Sequence, residues 1–465
     1  MSDTLMISVS GMRGHVGTDL TPELVARHAA ALGAWVRASA GGQPAAGPGG
    51  ARPAVVLGRD ARTSGAMFTH AAAAGLMSVG VDVIDLGVVP TPTVQLAVEH
   101  HHAGAGLILT ASHNPIEWNA LKFVGPDGIF LDAEAGARVR ALAEAGPPRA
   151  GWDGIGALRE DREAVARHLD AVLALPLIDA GAIRARAFHV ALDCVRGAGA
   201  SAIPPLLERL GCRMSGINLE PDGRFPRPPE PVPENLGELG DLVRRSGADI
   251  GFAVDPDVDR LAIVDERGRP IGEDYTLAFA VRAVLDRRIS SATPATVVVN
   301  LSTSLVVEDA ARAAGARLVR APVGEANVAR TIREEGAVIG GEGNGGVMLP
   351  ALHIGRDAPL GVALILHLLA TSGATVSQLV AGSPGYTIVK AKGPRGPDLP
   401  PLYAKLRSRF PDAEADDRDG LRLSWRDRWL HVRPSGTEPI VRLIAEAPTT
   451  TDAEALIGAA RELLQ

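Results

Sequence analysis

Three aspartates at alternate positions, in Asp255-Pro256-Asp257-Val258-Asp259-Arg260, form the clearest chemical signal in the sequence. In an extended loop, alternate side chains project to one side, so the segment predicts carboxylates facing a common point. A hard cation such as Mg²⁺ takes oxygen ligands in a small octahedron and keeps positions open for substrate or phosphate oxygens. Two other readings compete. Short acidic runs are commonly solvated turns, and Glu266 falls twelve positions along from Asp255 counted inclusively, as in an EF-hand. The EF-hand fails because Arg260 stands at the turn glycine and an apolar strand-like run, Leu261–Val264, follows at once. The strand-like run before the aspartates favours a metal site over a bare turn, and Arg260 would orient the carboxylates or reach a phosphate.

A second cluster, Thr110-Ala111-Ser112-His113-Asn114-Pro115, follows the apolar run Leu107-Ile108-Leu109. Its residues suit an ordinary turn. A serine-hydrolase elbow lacks its small glycines on both sides. A serine at a strand end, paired with a magnesium loop elsewhere, fits a phosphoserine carrier: the phosphate adds up to about two negative charges, which a divalent cation would offset. Near the C-terminus, Arg433-Pro434-Ser435-Gly436-Thr437-Glu438-Pro439 offers a guanidinium for two-pronged phosphate recognition, with hydroxyls and open amides for an anion nest. Alone, it would read equally as a Pro-Ser-Gly turn. The loop Gly341-Glu342-Gly343-Asn344-Gly345-Gly346 supplies an acceptor-only carboxylate and a two-way amide, suited to sugar hydroxyls. It matches neither the phosphate-loop nor the dinucleotide fingerprint.

These clusters need elements to position them. Val55-Val56-Leu57, Leu107-Ile108-Leu109, Val190-Ala191-Leu192, Val297-Val298-Val299 and Val338-Ile339 each run into a polar or glycine-rich turn, with helical stretches between. Such alternation predicts α/β domains, whose ligands bind outside the carboxyl ends of the strands. Thr21 and Pro22 predict a helix start, with Leu24, Val25, Leu32, Trp35 and Val36 on its apolar face. Gly41–Pro53 reads as a surface loop, while Gly146-Pro147-Pro148, Asp265–Gly272 and Gly382–Pro384 read as boundaries.

At 465 residues the chain exceeds one ordinary core. No apolar run approaches the ~20 residues of a membrane span, and no basic, apolar leader opens the chain. Net charge is −7 with no basic stripe, which argues against nucleic acid as a partner. Cys194 and Cys212 lack metal-like spacing and read as packing residues in a reducing compartment, with the cytoplasm expected.

In their order, the four motifs resemble the α-D-phosphohexomutase superfamily of phosphoglucomutases, phosphomannomutases and phosphoglucosamine mutases. The likeness runs nearly end to end, from Ser10-Gly11-Met12-Arg13-Gly14 through Gly58-Arg59-Asp60-Ala61-Arg62-Thr63-Ser64-Gly65 to Arg433–Pro439. It implies three α/β domains with mixed sheets and a smaller C-terminal α+β domain around a central cleft, divided here at residues 1–150, 151–268, 269–381 and 382–465. By this resemblance Ser112 is the phosphorylated serine, and Asp255, Asp257 and Asp259 bind Mg²⁺ with a phosphoserine oxygen of Ser112. Glu342 and Asn344 hold sugar hydroxyls, and Arg433, Ser435, Gly436 and Thr437 grip the phosphate that is not transferred. Arg13, His113, Lys122 and Arg260 crowd the reacting phosphate, with Lys122 or His113 in proton transfer. A hexose 1,6-bisphosphate is the implied intermediate and activator, and the protein is expected as a monomer or homodimer.

Asn344 stands where the family commonly has serine, and Ala120 where glycine is frequent. Together with Leu352-His353-Ile354-Gly355-Arg356-Asp357 these departures resemble the archaeal-type phosphoglucosamine mutases. Glucosamine phosphate is therefore the first expected substrate, with glucose and mannose phosphates next. His353 and Arg356 read either as sugar or phosphate contacts or as surface residues. A sugar-phosphate phosphatase and a non-catalytic sugar-phosphate binder are the readings from other classes.

Overall fold

The computed structural model describes residues 5–8, 11–39, 52–286, 294–394, 399–435 and 440–464. Most of Gly41–Pro53 lies outside them, as do Gly436 and Thr437. The first sheet has seven strands, ordered Met6–Ser8, Gly11–His15, Trp118–Val124, Ala105–Leu109, Ala54–Arg59, Asp82–Val88 and Leu158–Glu160. It is mixed: Ala105–Leu109 runs parallel to Ala54–Arg59 and antiparallel to Trp118–Val124. Its edge strand Leu158–Glu160 comes from beyond residue 150.

The apolar runs are continuous because both faces of the sheet are covered. Val55, Leu57, Leu107 and Leu109 pack on one face with Leu32, Phe68 and Leu76. Val56 and Ile108 pack on the other with Val94 and Val98. The helix expected after Thr21 spans Pro22–Ser39, and the Thr21 hydroxyl accepts from the Leu24 amide at 3.4 Å. Val25, Leu32 and Val36 are buried on it, while Leu24 and Trp35 pack at the margin of the core.

The second sheet orders Leu261–Val264, Ile250–Val254, His189–Asp193 and Arg213–Ile217, and the third Arg317–Ala321, Thr296–Asn300, Ile339–Glu342 and Gly346–Met348. In each, one motif closes a hairpin. The Asp loop joins Val254 to its partner Leu261, and the glycine-rich loop joins Glu342 to Gly346. The fourth unit is a five-stranded antiparallel sheet with the helices Pro400–Arg409 and Thr450–Leu464. The chain thus forms three mixed-sheet α/β domains and a C-terminal antiparallel domain. Among the described residues no helix is long and apolar enough to cross a membrane.

Candidate active site

Ser112 sits one turn past the strand Ala105–Leu109, buried, with a backbone φ of 48°. This left-handed conformation disfavours any residue with a Cβ, so the surroundings must impose it. The wholly buried guanidinium of Arg62 does so by donating to the carbonyls of Ser112 (2.7 Å), Asn114 (2.6 Å), Pro115 (2.6 Å) and Trp118 (2.8 Å). Arg62 is held in turn by Asp60, at 3.0 Å from Nε to Oδ2. Asp60 also accepts from the Thr110 hydroxyl at 2.7 Å, and that hydroxyl accepts from the Ser112 amide at 2.9 Å. Sequence reasoning gave neither Asp60 nor Arg62 a role. The available signal was two opposite charges, two positions apart, at the end of an apolar strand.

The Asp loop is a tight turn rather than the extended segment expected. Val258 has φ 63°, and its amide donates to the Asp255 carbonyl at 3.1 Å. The carboxylates converge because the chain folds back, and one oxygen from each of Asp255, Asp257 and Asp259 lies within 4.8 Å of the others. All three residues are fully buried. Bonds from the first domain seat the loop: Thr91 donates to Asp257 from its amide and its hydroxyl, both at 2.8 Å. Lys122 Nζ donates to Asp257 Oδ2 at 2.7 Å, and Ser112 Oγ donates to Asp255 Oδ2 at 2.8 Å.

Burial, with Asp259 and Asp257 nearby, pushes Asp255 well above the usual carboxylate range. Burial also opposes charge on Asp257, but Lys122 outweighs it and holds that carboxyl low. Burial works against the charge of Lys122 too, and Asp257 and Asp259 more than offset it, raising the ammonium. Oδ1 of Asp257 and Oδ1 of Asp259 are buried without a hydrogen-bond donor. Orphaned carboxylate oxygens beside a crowded third carboxylate fit a hard divalent cation, which prefers oxygen ligands.

A cleft of about 350 Å³ opens beside this loop, lined among others by Arg13, Ser112, His113, Lys122, Arg260 and Arg356. Arg13 donates to the Asn114 side chain at 2.6 Å. Nδ1 of His113 lies 3.3 Å from Ser112 Oγ. Burial, followed by Arg260 and Arg13, lowers His113 well below its ordinary range, so the imidazole is neutral at neutral pH. Arg260 Nε stands 3.8 Å from Asp259 and 4.0 Å from Asp255, and its guanidinium donates to Glu230 at 3.1 Å. The expected reacting-phosphate group is therefore gathered around Ser112.

Glu342 is buried at the end of its strand and accepts from Asn300 at 2.9 Å and the Gly324 amide at 3.1 Å. Burial opposes its charge, but Arg356 and these donors keep it ionised below its ordinary value. Asn344, half-buried, accepts from the Gly346 amide at 3.3 Å. Arg433 Nε stands 3.0 Å from Asp419 Oδ2 without the alignment of a hydrogen bond, while the same oxygen accepts from the Val323 amide at 3.0 Å. Ser435 is buried, its amide donating to the Ile440 carbonyl at 2.9 Å. Arg356 is a buried cleft residue, not a surface one. His353 is also buried, its Nε2 donating to Asp357 Oδ2 at 3.0 Å, and the same oxygen lies 2.8 Å from His168 Nε2.

Models of the phosphoglucomutase/phosphomannomutase family match the chain in order: α/β/α domain I over residues 5–149, α/β/α domain II over 166–268, α/β/α domain III over 272–386, and the C-terminal domain over 390–463. The chain belongs to this family of phosphohexomutase enzymes. A phosphoglucomutase/phosphomannomutase of Thermococcus kodakarensis is 37% identical over 459 residues, covering 98% of this chain and 97% of its own. A probable phosphoglucosamine mutase of Methanopyrus kandleri is 37% identical over 453 residues, covering 96% and 95%. The crystal structure of a phosphoglucomutase/phosphomannomutase family protein from Burkholderia thailandensis has a TM-score of 0.84 at 27% identity, covering 99% of this chain and 96% of its own.

Proposed function

We propose that this enzyme interconverts hexose 6-phosphate and hexose 1-phosphate through phospho-Ser112 and a hexose 1,6-bisphosphate, with glucosamine 6-phosphate as its first substrate. The observation that carries the reading is the bond from Ser112 Oγ to Asp255 at 2.8 Å, joining a strained serine on one domain to a carboxylate cluster on the next.

A free sugar hydroxyl attacks the phosphoryl group, its oxygen–phosphorus bond forms, and the bond to Ser112 Oγ breaks. The sugar bisphosphate then turns over, and its other phosphoryl group returns to Ser112. Arg62 fixes the loop so that Oγ faces the cleft. Asp255, Asp257 and Asp259 would hold Mg²⁺, which when bound neutralises phosphoryl charge and polarises the transferring group. Lys122, kept charged by Asp257, serves as a donor beside the reacting group, as do Arg13 and Arg260. His113, neutral and 3.3 Å from Ser112 Oγ, is placed to accept the proton of an attacking hydroxyl. Glu342 and Asn344 hold sugar hydroxyls, and the Arg433–Thr437 loop grips the second phosphate.

The amino-sugar preference rests on Asn344 and the Leu352–Asp357 segment and on relatives such as the M. kandleri protein. The T. kodakarensis relative supports glucose and mannose phosphates as the second reading. Turnover with Mg²⁺ and a trace of hexose bisphosphate, offering glucosamine 6-phosphate, glucose 1-phosphate and mannose 1-phosphate side by side, tests both. Preference for the amino sugar is expected. Preference for glucose or mannose overturns the substrate assignment, and release of inorganic phosphate matching substrate loss overturns the mutase.

A further inference from the structure

Arg356 spends its whole guanidinium on three carboxylates from three separate segments. Nη2 donates to Asp259 Oδ2 at 2.5 Å, Nη1 to Glu342 Oε2 at 3.0 Å, and Nε to Glu325 Oε2 at 3.0 Å. Asp259 belongs to the proposed metal loop on the second domain. Glu342 belongs to the proposed sugar loop on the third. Glu325 opens the helix Glu325–Glu335 and lines the cleft. The side chain is 9% exposed, so these ion pairs are largely shielded from water and salt.

The backbone around Arg356 is fixed as firmly. The Asp357 amide donates to the Val347 carbonyl at 2.9 Å, and the Ala358 amide to the Val258 carbonyl of the Asp loop at 3.2 Å. The Asp357 side chain accepts from the Leu360 amide at 2.9 Å, capping the helix Ala358–Ser372, and reaches His168 of the second domain. The glycine-rich loop is shaped around the guanidinium stem: a Cβ on Gly346 would stand 2.3 Å from Arg356 Cδ. A rigidly mounted cation shared among three carboxylates makes their charges interdependent.

We propose that Arg356 is a positioning residue that couples metal binding at Asp259 to sugar binding at Glu342. A divalent ion that takes charge from Asp259 leaves more of the Arg356 field for Glu342 and Glu325, and so tightens the orientation of the sugar-holding carboxylate. By linkage, bound sugar phosphate strengthens metal binding by the same factor. The inference rests on the reading of the Asp triplet as a metal site and of Glu342 as a sugar contact.

The test is calorimetric and needs no turnover. In the full-length Ser112→Ala protein, glucose 1-phosphate and glucosamine 6-phosphate are titrated with and without Mg²⁺, and Mg²⁺ with and without sugar phosphate. The ratio of the two dissociation constants is the coupling. Direct attraction between Mg²⁺ and the substrate phosphate contributes to it in every variant, so the comparison between variants isolates the arginine. Arg356→Lys keeps the charge but cannot span three carboxylates, and should lower the ratio about fivefold or more, the lower end of ordinary coupling. Glu325→Gln leaves the cation shared between two carboxylates and should raise the ratio. It also serves as the independent variant if Arg356→Lys fails to fold. A ratio within twofold of the parent protein in either folded variant overturns the coupling. Failure of the parent protein to bind Mg²⁺ or either sugar phosphate would instead strike the site reading beneath it.

Discussion

Arg62 offers the sharpest separation of a structural brace from a charged site residue. Replacing it with methionine removes the donor to four carbonyls of the serine loop and the partner of Asp60. Breaking a buried ion pair costs about 3–5 kcal/mol of stability. The rate effect comes from the loop. A left-handed residue with a Cβ costs about 1–2 kcal/mol, and each hydrogen bond to a charged donor contributes about 1.5–3 kcal/mol. Water beside the cleft can replace some of these bonds. Counting only two at the low end gives about 3 kcal/mol, on the order of a hundredfold in rate.

The assay is initial-rate kinetics with Mg²⁺ and excess bisphosphate, alongside urea unfolding and intact mass for Ser112 phosphorylation. Arg62→Met should lose stability and about a hundredfold in kcat, with a smaller change in KM. Arg62→Lys keeps a cation beside Asp60 but cannot reach the fan of carbonyls, so it should recover stability without recovering kcat. A folded Arg62→Lys enzyme with native kcat would refute the brace.

Three further outcomes follow from the same geometry. Gly346→Ala should raise KM for sugar phosphate about tenfold, because overpacking against Arg356 costs about 1–3 kcal/mol; an unchanged KM would show that the arginine shifts freely. Chelation with EDTA should abolish turnover and added Mg²⁺ should restore it, whereas Asp257→Asn should lose activity that added Mg²⁺ cannot fully restore; activity surviving EDTA would contradict the metal reading. Burial, reinforced by Glu446 and Glu273, pushes Asp274 up to about 8, where it accepts from the Ser304 amide at 2.9 Å. An unfolded aspartate titrates near ~3.9, so between about pH 4 and 8 the native state binds the extra proton and stability falls as pH rises. Thermal midpoints should therefore drop from pH 5.5 to pH 8.5, and Asp274→Asn should flatten that slope. An unaltered slope in the variant would assign it to other groups.

What the sequence determined by itself is local. Apolar runs ending in polar clusters identified the strands and the loops at their carboxyl ends, because strand burial on both faces leaves an unbroken apolar signature. The Thr21-Pro22 start marked the helix Pro22–Ser39 for the same reason: capping and fixed φ act within one turn. Contiguous motifs likewise announced Ser112, the Asp triplet and Glu342. What only the tertiary structure decided is which of these groups touch. Ser112 meets Asp255 across 143 positions, Thr91 meets Asp257 across 166, and Arg356 meets Asp259 across 97. The convergence of the carboxylates also needed the turn at Val258, since alternate spacing alone would have been satisfied by an extended loop. Arg62 drew no role from the sequence, and Arg356 stayed open between a ligand contact and a surface residue, because a guanidinium acquires its role from the acceptors around it. Here the Ser112 carbonyl lies 50 positions from Arg62 within the first domain, and Asp259 lies 97 positions from Arg356 on another, so these acceptors become neighbours only when the chain folds.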